Sequence, residues 1–169
     1  YAMDKKINSF ERDVRRKVMT HLAISGSKDL GSGLILTSVV IDIERIGDYT
    51  KNIYDLAVNH PKKLIADSFE EKLSTIEANT KDYFNKTIDT FKSQDIDAAR
   101  ELMGNYKEEI SEVSQSIVES VISANDHNLT ASQAASIVLY SRYLKRIAAH
   151  SRNLISSIVN PFERIGYPE

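Results

Sequence analysis

The stretch VVIDIERIGDYTKNIYDLA, residues 39–57, decides how the chain folds. Its apolar residues recur at spacings compatible with a helical turn: Val39, Ile43, Ile46, Ile53 and Ala57 form a seam that Leu36 extends upstream. The pattern predicts a helix over residues 30–59. Asp42, Glu44, Asp48 and Asp55 are gathered into it. Glu44, Asp48 and Asn52 stand at i, i+4 and i+8 and so stack in one stripe, which by the seam faces away from the core. Like charges at this spacing cost a helix about 0.2–0.5 kcal/mol per pair, and a face serving only solubility would mix its signs. Carboxylates and an amide oxygen on successive turns are also a donor set for calcium, magnesium, manganese or iron, if a neighbouring helix adds oxygens. Spacing alone leaves two readings open, a solvated face and a hard-cation site.

Outward from this helix the chain reads as helix almost throughout. Ile7, Phe10, Val14 and Val18 make one face of a helix over residues 4–24. A third helix, residues 67–93, opens on D-S-F-E, read as a capping box in which Asp67 takes amide bonds and Glu70 reaches back. A fourth covers residues 96–124, and a fifth, residues 130–160, opens on the capping box T-A-S-Q at Thr130. Gly26, Gly31, Gly33, Pro61, Pro161 and Pro168 fall mostly at the gaps. No segment alternates with period two. Long helices with short connections predict an all-α protein of antiparallel bundle neighbours.

Composition excludes several functions. With 169 residues, 41% hydrophobic, the chain can build a real core as one compact domain or two small ones. It has no apolar run of membrane-spanning length, and YAMDKKINSF shows neither a signal peptide nor a targeting pattern. Without cysteine there are no disulfides or thiolate ligands, which suits a reducing cytosol and leaves any metal to oxygen or histidine. The net charge of −2 draws the chain to neither nucleic acid nor anionic membrane; the basic start, Lys5, Lys6, Arg12, Arg15, Arg16 and Lys17, reads as a solvated helix face. His21, His60, His127 and His150 are scattered and form no metalloprotease pair. No nucleophile elbow or phosphate-gripping loop is present, and nothing suggests an enzyme. The helices are too long for a helix-turn-helix.

An internal repeat changes the picture. Shifted by 103, Ile7, Phe10, Val14 and Val18 fall on Ile110, Val113, Ile117 and Val121. Shifted by 101, Ile43, Arg45, Ile46, Gly47, Thr50, Lys51, Asn52, Ile53 and Val58 fall on Leu144, Arg146, Ile147, Ala148, Ser151, Arg152, Asn153, Leu154 and Val159. This reads as two copies of one helical unit, residues 1–62 and 63–169, with no counterpart in the first copy for residues 67–103. A three-helix unit lacking one helix exposes an apolar groove; either residues upstream of Tyr1 supply the helix, the favoured reading, or a partner chain fills the groove.

The run E-R-I-G-D-Y-x-x-N-I, with its echo YSRYLKRIAAHSRNLISSIV and the stretch DKKINSFERDVRRKV, resembles the PhoU family. That resemblance implies tandem antiparallel three-helix bundles, here with the first bundle incomplete at its N-terminus, and an acidic E/D-x-x-x-D motif on the last helix of each half. It implies a cytoplasmic, non-enzymatic regulator of phosphate uptake acting beside a phosphate-specific ABC transporter and a sensor histidine kinase. Such a protein meets the membrane only through protein partners and self-associates, as a homodimer or larger homo-oligomer. It implies a bound di- or trivalent metal ion, such as iron, zinc, manganese or magnesium. Glu44 and Asp48 are then the first ligands, with Asn52 in the stripe and Asp4 or Glu11 from the preceding helix. The alternative is the soluble tail of a sodium-phosphate cotransporter or other ion transporter, needing no metal. The second half departs from the pattern: Lys145 stands where Glu44 does, Ala149 where Asp48 does, and His150 where Tyr49 does, while Asn153 persists. That half should not hold a cation in the same way, and Lys145, Arg146 and Arg152 make it basic, suited to an acidic partner or an anion. The late FERIGYPE repeats Glu-Arg-Ile-Gly, but Asn160-Pro161 has already broken the helix.

Overall fold

The computed structural model describes residues 2–60, 62–123 and 128–169. The protein is all-α, and among the described residues there is no strand. The first helix, α1 (Ala2–Ser25), passes through a 3₁₀ turn, Gly26–Asp29, into α2 (Leu30–Asn59). After a second 3₁₀ turn, Asp67–Phe69, come α3 (Glu70–Ser93) and α4 (Ile96–Tyr106). A π-helical segment, Lys107–Glu112, leads into α5 (Val113–Ile122), and α6 (Ala131–Val159) closes the bundle before a 3₁₀ turn, Phe162–Arg164. The fourth expected helix is thus one continuous rod, α4 to α5, with a π segment inside it; its expected end at residue 124, like Pro61 and His127, lies outside the described residues.

Local chemistry explains most of the ends. Gln94 adopts the left-handed conformation that stops α3, and the Asp95 side chain accepts from the amides of Asp97 and Ala98 to start α4, so two residues turn the chain back. Thr130 and Gln133 form the reciprocal capping box on α6. The capping box expected at Asp67 does not form. Asp67 has a positive φ of 49° and sits inside a 3₁₀ turn, so α3 begins three residues later, at Glu70, and its N-cap position, Phe69, offers no side-chain cap. α1 lies close on α2 because two glycines let it: a Cβ at Gly47 would meet Ile7 at 3.0 Å, and one at Gly33 would meet Leu22 at 3.0 Å.

The main core joins α3, α4, α5 and α6. Leu73, Ile76 and Tyr83 of α3 share it with Ile110, with Ile117 and Val121 of α5, and with Ile137, Leu144, Ala148 and Ile155 of α6. Small buried residues on α6, Ser141, Ala148, Ser151 and Ser156, let neighbours approach it closely. A second cluster ties α2 to α6 through Val39, Ile46, Ile147 and Leu154.

The seam expected on α2 is only half covered. Val39 and Ile46 are buried against α6, but Leu36 and Ile43 are exposed. The repeat supplies the reason. Shifted by 101, Ile43 and Tyr54 pair with Leu144 and Ile155, which are 5% and 0% exposed in a core shared with α3; Ile43 and Tyr54 are 42% and 58% exposed. Among the described residues, nothing equivalent to α3 lies over α1 and α2. The expected apolar groove is present there, about 570 Å³ in volume, bounded by Met3 and Ile7 of α1, Ile43 and Tyr54 of α2, and Phe84 and Phe91 of α3. Truncating the two equivalent positions should separate them in urea unfolding. Leu144→Ala should cost about 2–5 kcal/mol, and Ile43→Ala less than about 1 kcal/mol.

Candidate functional site

Two polar sites lie on opposite sides of α2. The first is the acidic stripe. Glu44 and Asp48 face α1 and are half-buried rather than turned to open solvent, their side chains 15% and 29% exposed. The stripe was expected to point outward; it is partly covered because α1 packs over that side of α2. The Glu44 carboxyl is held above its ordinary value, first by burial and then by the Asp48 charge, with Glu11 of α1 adding and Arg45 opposing. Two carboxylates therefore act on Glu44, one from its own helix and one from α1. Each of the three is also held by a neighbouring cation: Arg45 lies 3.6 Å from Glu44 and 3.3 Å from Asp48, and Arg15 lies 2.8 Å from Glu11.

Asp4 stands apart from these acids. It pairs with Lys51 at 3.4 Å and lines the apolar groove with it. Asn52 is half-buried on α2. Among the described residues, no three histidines or acids converge closely enough to hold a metal as the side chains now stand. The donors have the right chemistry for a hard cation, and burial beside like charge raises the affinity of Glu44 for positive charge. Arg45 and Arg15 occupy the carboxylates in the meantime.

The second site escapes a reading of the sequence by spacing. Asp42, grouped with the other acids there, is buried on the opposite side of the helix and faces α6. Its Oδ1 is 2.7 Å from His150 Nδ1 and accepts from Asn153 Nδ2 at 2.9 Å. The His150 ring stacks on Tyr49 at 5.7 Å, and the Arg146 guanidinium lies 6.0 Å from the Tyr49 ring. A buried carboxylate needs such partners, because its solvation is lost and only hydrogen bonds and opposite charge replace it. His150 is thus a partner of Asp42 rather than a surface histidine. His21 and His60 do lie at helix ends, bound to Asp29 at 2.9 Å and to the carbonyl of Lys62 at 2.8 Å. The only sequence signal for the second site was that Asn153 persists while Tyr49 gives way to a histidine in the repeat.

The basic residues at the start of α1 are exposed, as a solvated face requires. No helix among the described residues is long and apolar enough to cross a membrane.

The family model of the PhoU domain matches residues 1–57 and 73–158. No curated protein and no solved structure matches the chain. The two matched segments contain both polar sites.

Two measurements test this geometry. In a double-mutant cycle, Asp42→Ala and His150→Ala should couple by about 1–3 kcal/mol, because each leaves the other's buried group without a partner. Glu44 has a folded-state pKa above its unfolded one, so ionisation lowers stability as the pH rises through that interval. Without added metal, Glu44→Gln should melt above the unaltered protein at pH 7, and the gap should close as the pH falls below the ordinary glutamate value.

Proposed function

The chain belongs to the PhoU domain family, and from that membership we propose that it regulates phosphate uptake through a metal-dependent surface on α1 and α2. PhoU-domain proteins are regulators rather than enzymes, and the family binds metal clusters. The observation that carries the proposal is the half-buried Glu44, which feels the charges of Asp48 in the same motif and of Glu11 across the α1–α2 contact, in the stretch by which the chain resembles its family. Glu44 and Asp48 would hold the ion, Glu11 is a further carboxylate across the contact whose charge reaches Glu44, and Asn52 continues the stripe one turn on. An ion there supplies positive charge that joins α1 to α2 where their carboxylates otherwise repel. Asp4, engaged by Lys51, is not needed for this.

In the same proposal, residues 1–62 and 63–169 are two PhoU-like repeats, and the protein works in the cytoplasm beside a phosphate-specific ABC transporter and its sensor histidine kinase. The apolar groove over α1 and α2 gives it a face for association, with a homodimer the simplest assembly. The metal fixes the relation of α1 to α2, and that pair of helices is the surface its partners read.

Elemental analysis of untagged protein purified without chelator, beside the Glu44→Ala, Asp48→Ala double variant, tests the site. About one equivalent of metal per chain or more should be found and should be lost in the variant. Added metal should raise the melting temperature of the first and not of the second. Trace metal in both would leave the acids as a solvated face, and the transporter-tail reading would then stand in place of this one.

A further inference from the structure

We propose that the second repeat carries an anion-binding cleft, lined by Arg100, Lys107 and Arg152, for a compact dianion bearing phosphate or carboxylate groups, and that Glu169 occupies it as an internal competitor. The cleft is about 480 Å³ and lies between the π-helical segment and the C-terminal strap, with Tyr106 and Ser111 in its wall.

Charge at the repeat-related positions is the first argument. Shifted by 103 and 101, Asp4 and Lys51 fall on Lys107 and Arg152. In the first repeat these positions form a salt bridge at 3.4 Å, whereas in the second both are cations lining one cleft. The acid that would neutralise Arg152 has been replaced by a second positive charge. Among the described residues no carboxylate pairs with Arg152. Its Nη2 donates to the carbonyl of Gly166 at 2.8 Å, its guanidinium lies 5.3 Å from the Tyr106 ring, and its Nε is buried without a partner. Lys107 is weakly held, 3.6 Å from Glu112, and its side chain is mostly exposed. The neighbouring face of α6 adds to the field: Lys145 is pushed below its ordinary value by burial and by the charges of Arg142 and Arg146.

Backbone geometry is the second argument. Residues 107–112 are π-helical, whereas residues 4–9, which the shift pairs with them, lie in regular α-helix. Both Lys107 and Ser111 of this segment line the cleft, and π segments inside α-helices are frequent at functional sites.

The third argument is that the protein already places a carboxylate there. Arg100 Nε and Nη2 each donate to a Glu169 carboxylate oxygen at 2.6 Å, the forked geometry by which guanidinium recognises a carboxylate or phosphate. Arg100 also touches Asp97 at 3.4 Å. The strap that delivers Glu169 is folded back by named bonds. The Gly166 amide donates to Ser156 Oγ at 2.7 Å, and Asn160 Nδ2 donates to the Tyr167 carbonyl at 2.8 Å. Gly166, at φ +85°, makes the turn; a Cβ there would also come within 2.8 Å of Asn153 Oδ1. Arg100 and Glu169 are both about half exposed, so an external anion can compete with this contact.

Isothermal titration calorimetry of the full chain at low ionic strength and pH 7 tests the proposal, with inorganic phosphate and glutarate as probes. Glu169→Gln should bind at least one of them about two- to sixfold more tightly than the unaltered protein, since the competent fraction of the cleft rises. Adding Lys107→Asp to that variant restores the acid found at Asp4 and should abolish the gain; because Lys107 is exposed, circular dichroism and melting temperature should stay unchanged. Phosphate alone assigns a phosphate ligand, glutarate alone a dicarboxylate, and both a dianion of either kind. No tightening in Glu169→Gln, or equal binding after Lys107→Asp, overturns the proposal.

Discussion

The buried carboxylate of Asp42 constrains this fold more than any single apolar contact. Hydrophobic residues along α2 and α6 could slide past one another and still bury comparable area, because Val39, Ile46, Ile147 and Leu154 are similar in size and non-directional in their contacts. Asp42 removes that freedom. A carboxylate at 7% exposure is tolerated only where His150 and Asn153 both reach it, and both sit on α6. The register of α2 against α6, and with it the relation of the two halves of the chain, is fixed by two hydrogen bonds to one oxygen. The stack of His150 on Tyr49 then joins the two positions that the repeat relates to each other.

With that register set, the two outer faces of the chain are free to differ. On α2 the stripe keeps Glu44 and Asp48, against Glu11 on α1; the related positions are Lys145 and Ala149 on α6 and Ser114 on α5. Ser114 does not face solvent but bonds to Ser141 within the core. At the related positions of the second half one side chain is thus given to packing and another carries positive charge.

Much of this was legible in the sequence, for reasons that particular residues show. Thr130 announces α6 because a capping box is a local structure whose parts lie within four residues. The same letters fail at Asp67, where the chain arrives through a 3₁₀ turn at positive φ and the side chain cannot reach the amides it would cap. The α2 seam was visible by periodicity, but periodicity states which residues want covering, not what covers them, so Ile43 and Leu36 were counted as core and stand exposed. The Asp42–His150 pair was hidden for a different reason. Its partners are 108 residues apart, and no spacing rule connects a carboxylate on one helix to a ring on another. The π segment at 107–112 likewise has no signature of its own.

The groove and the acidic stripe both border α1, and that common element couples them. α1 buries none of its residues fully, so its attachment rests on the close approach at Gly33 and Gly47, on partly covered apolar side chains and on the Asp4–Lys51 pair. A helix held so lightly is more readily displaced than the core elements α3 to α6. The Glu11–Glu44 repulsion acts across the same contact and works against it. Anything that neutralises those carboxylates therefore strengthens the α1–α2 contact, and anything that fills the groove adds apolar area to it. The two effects act on one weak element from different sides, so each should favour the other by lowering the entropy that remains to be lost.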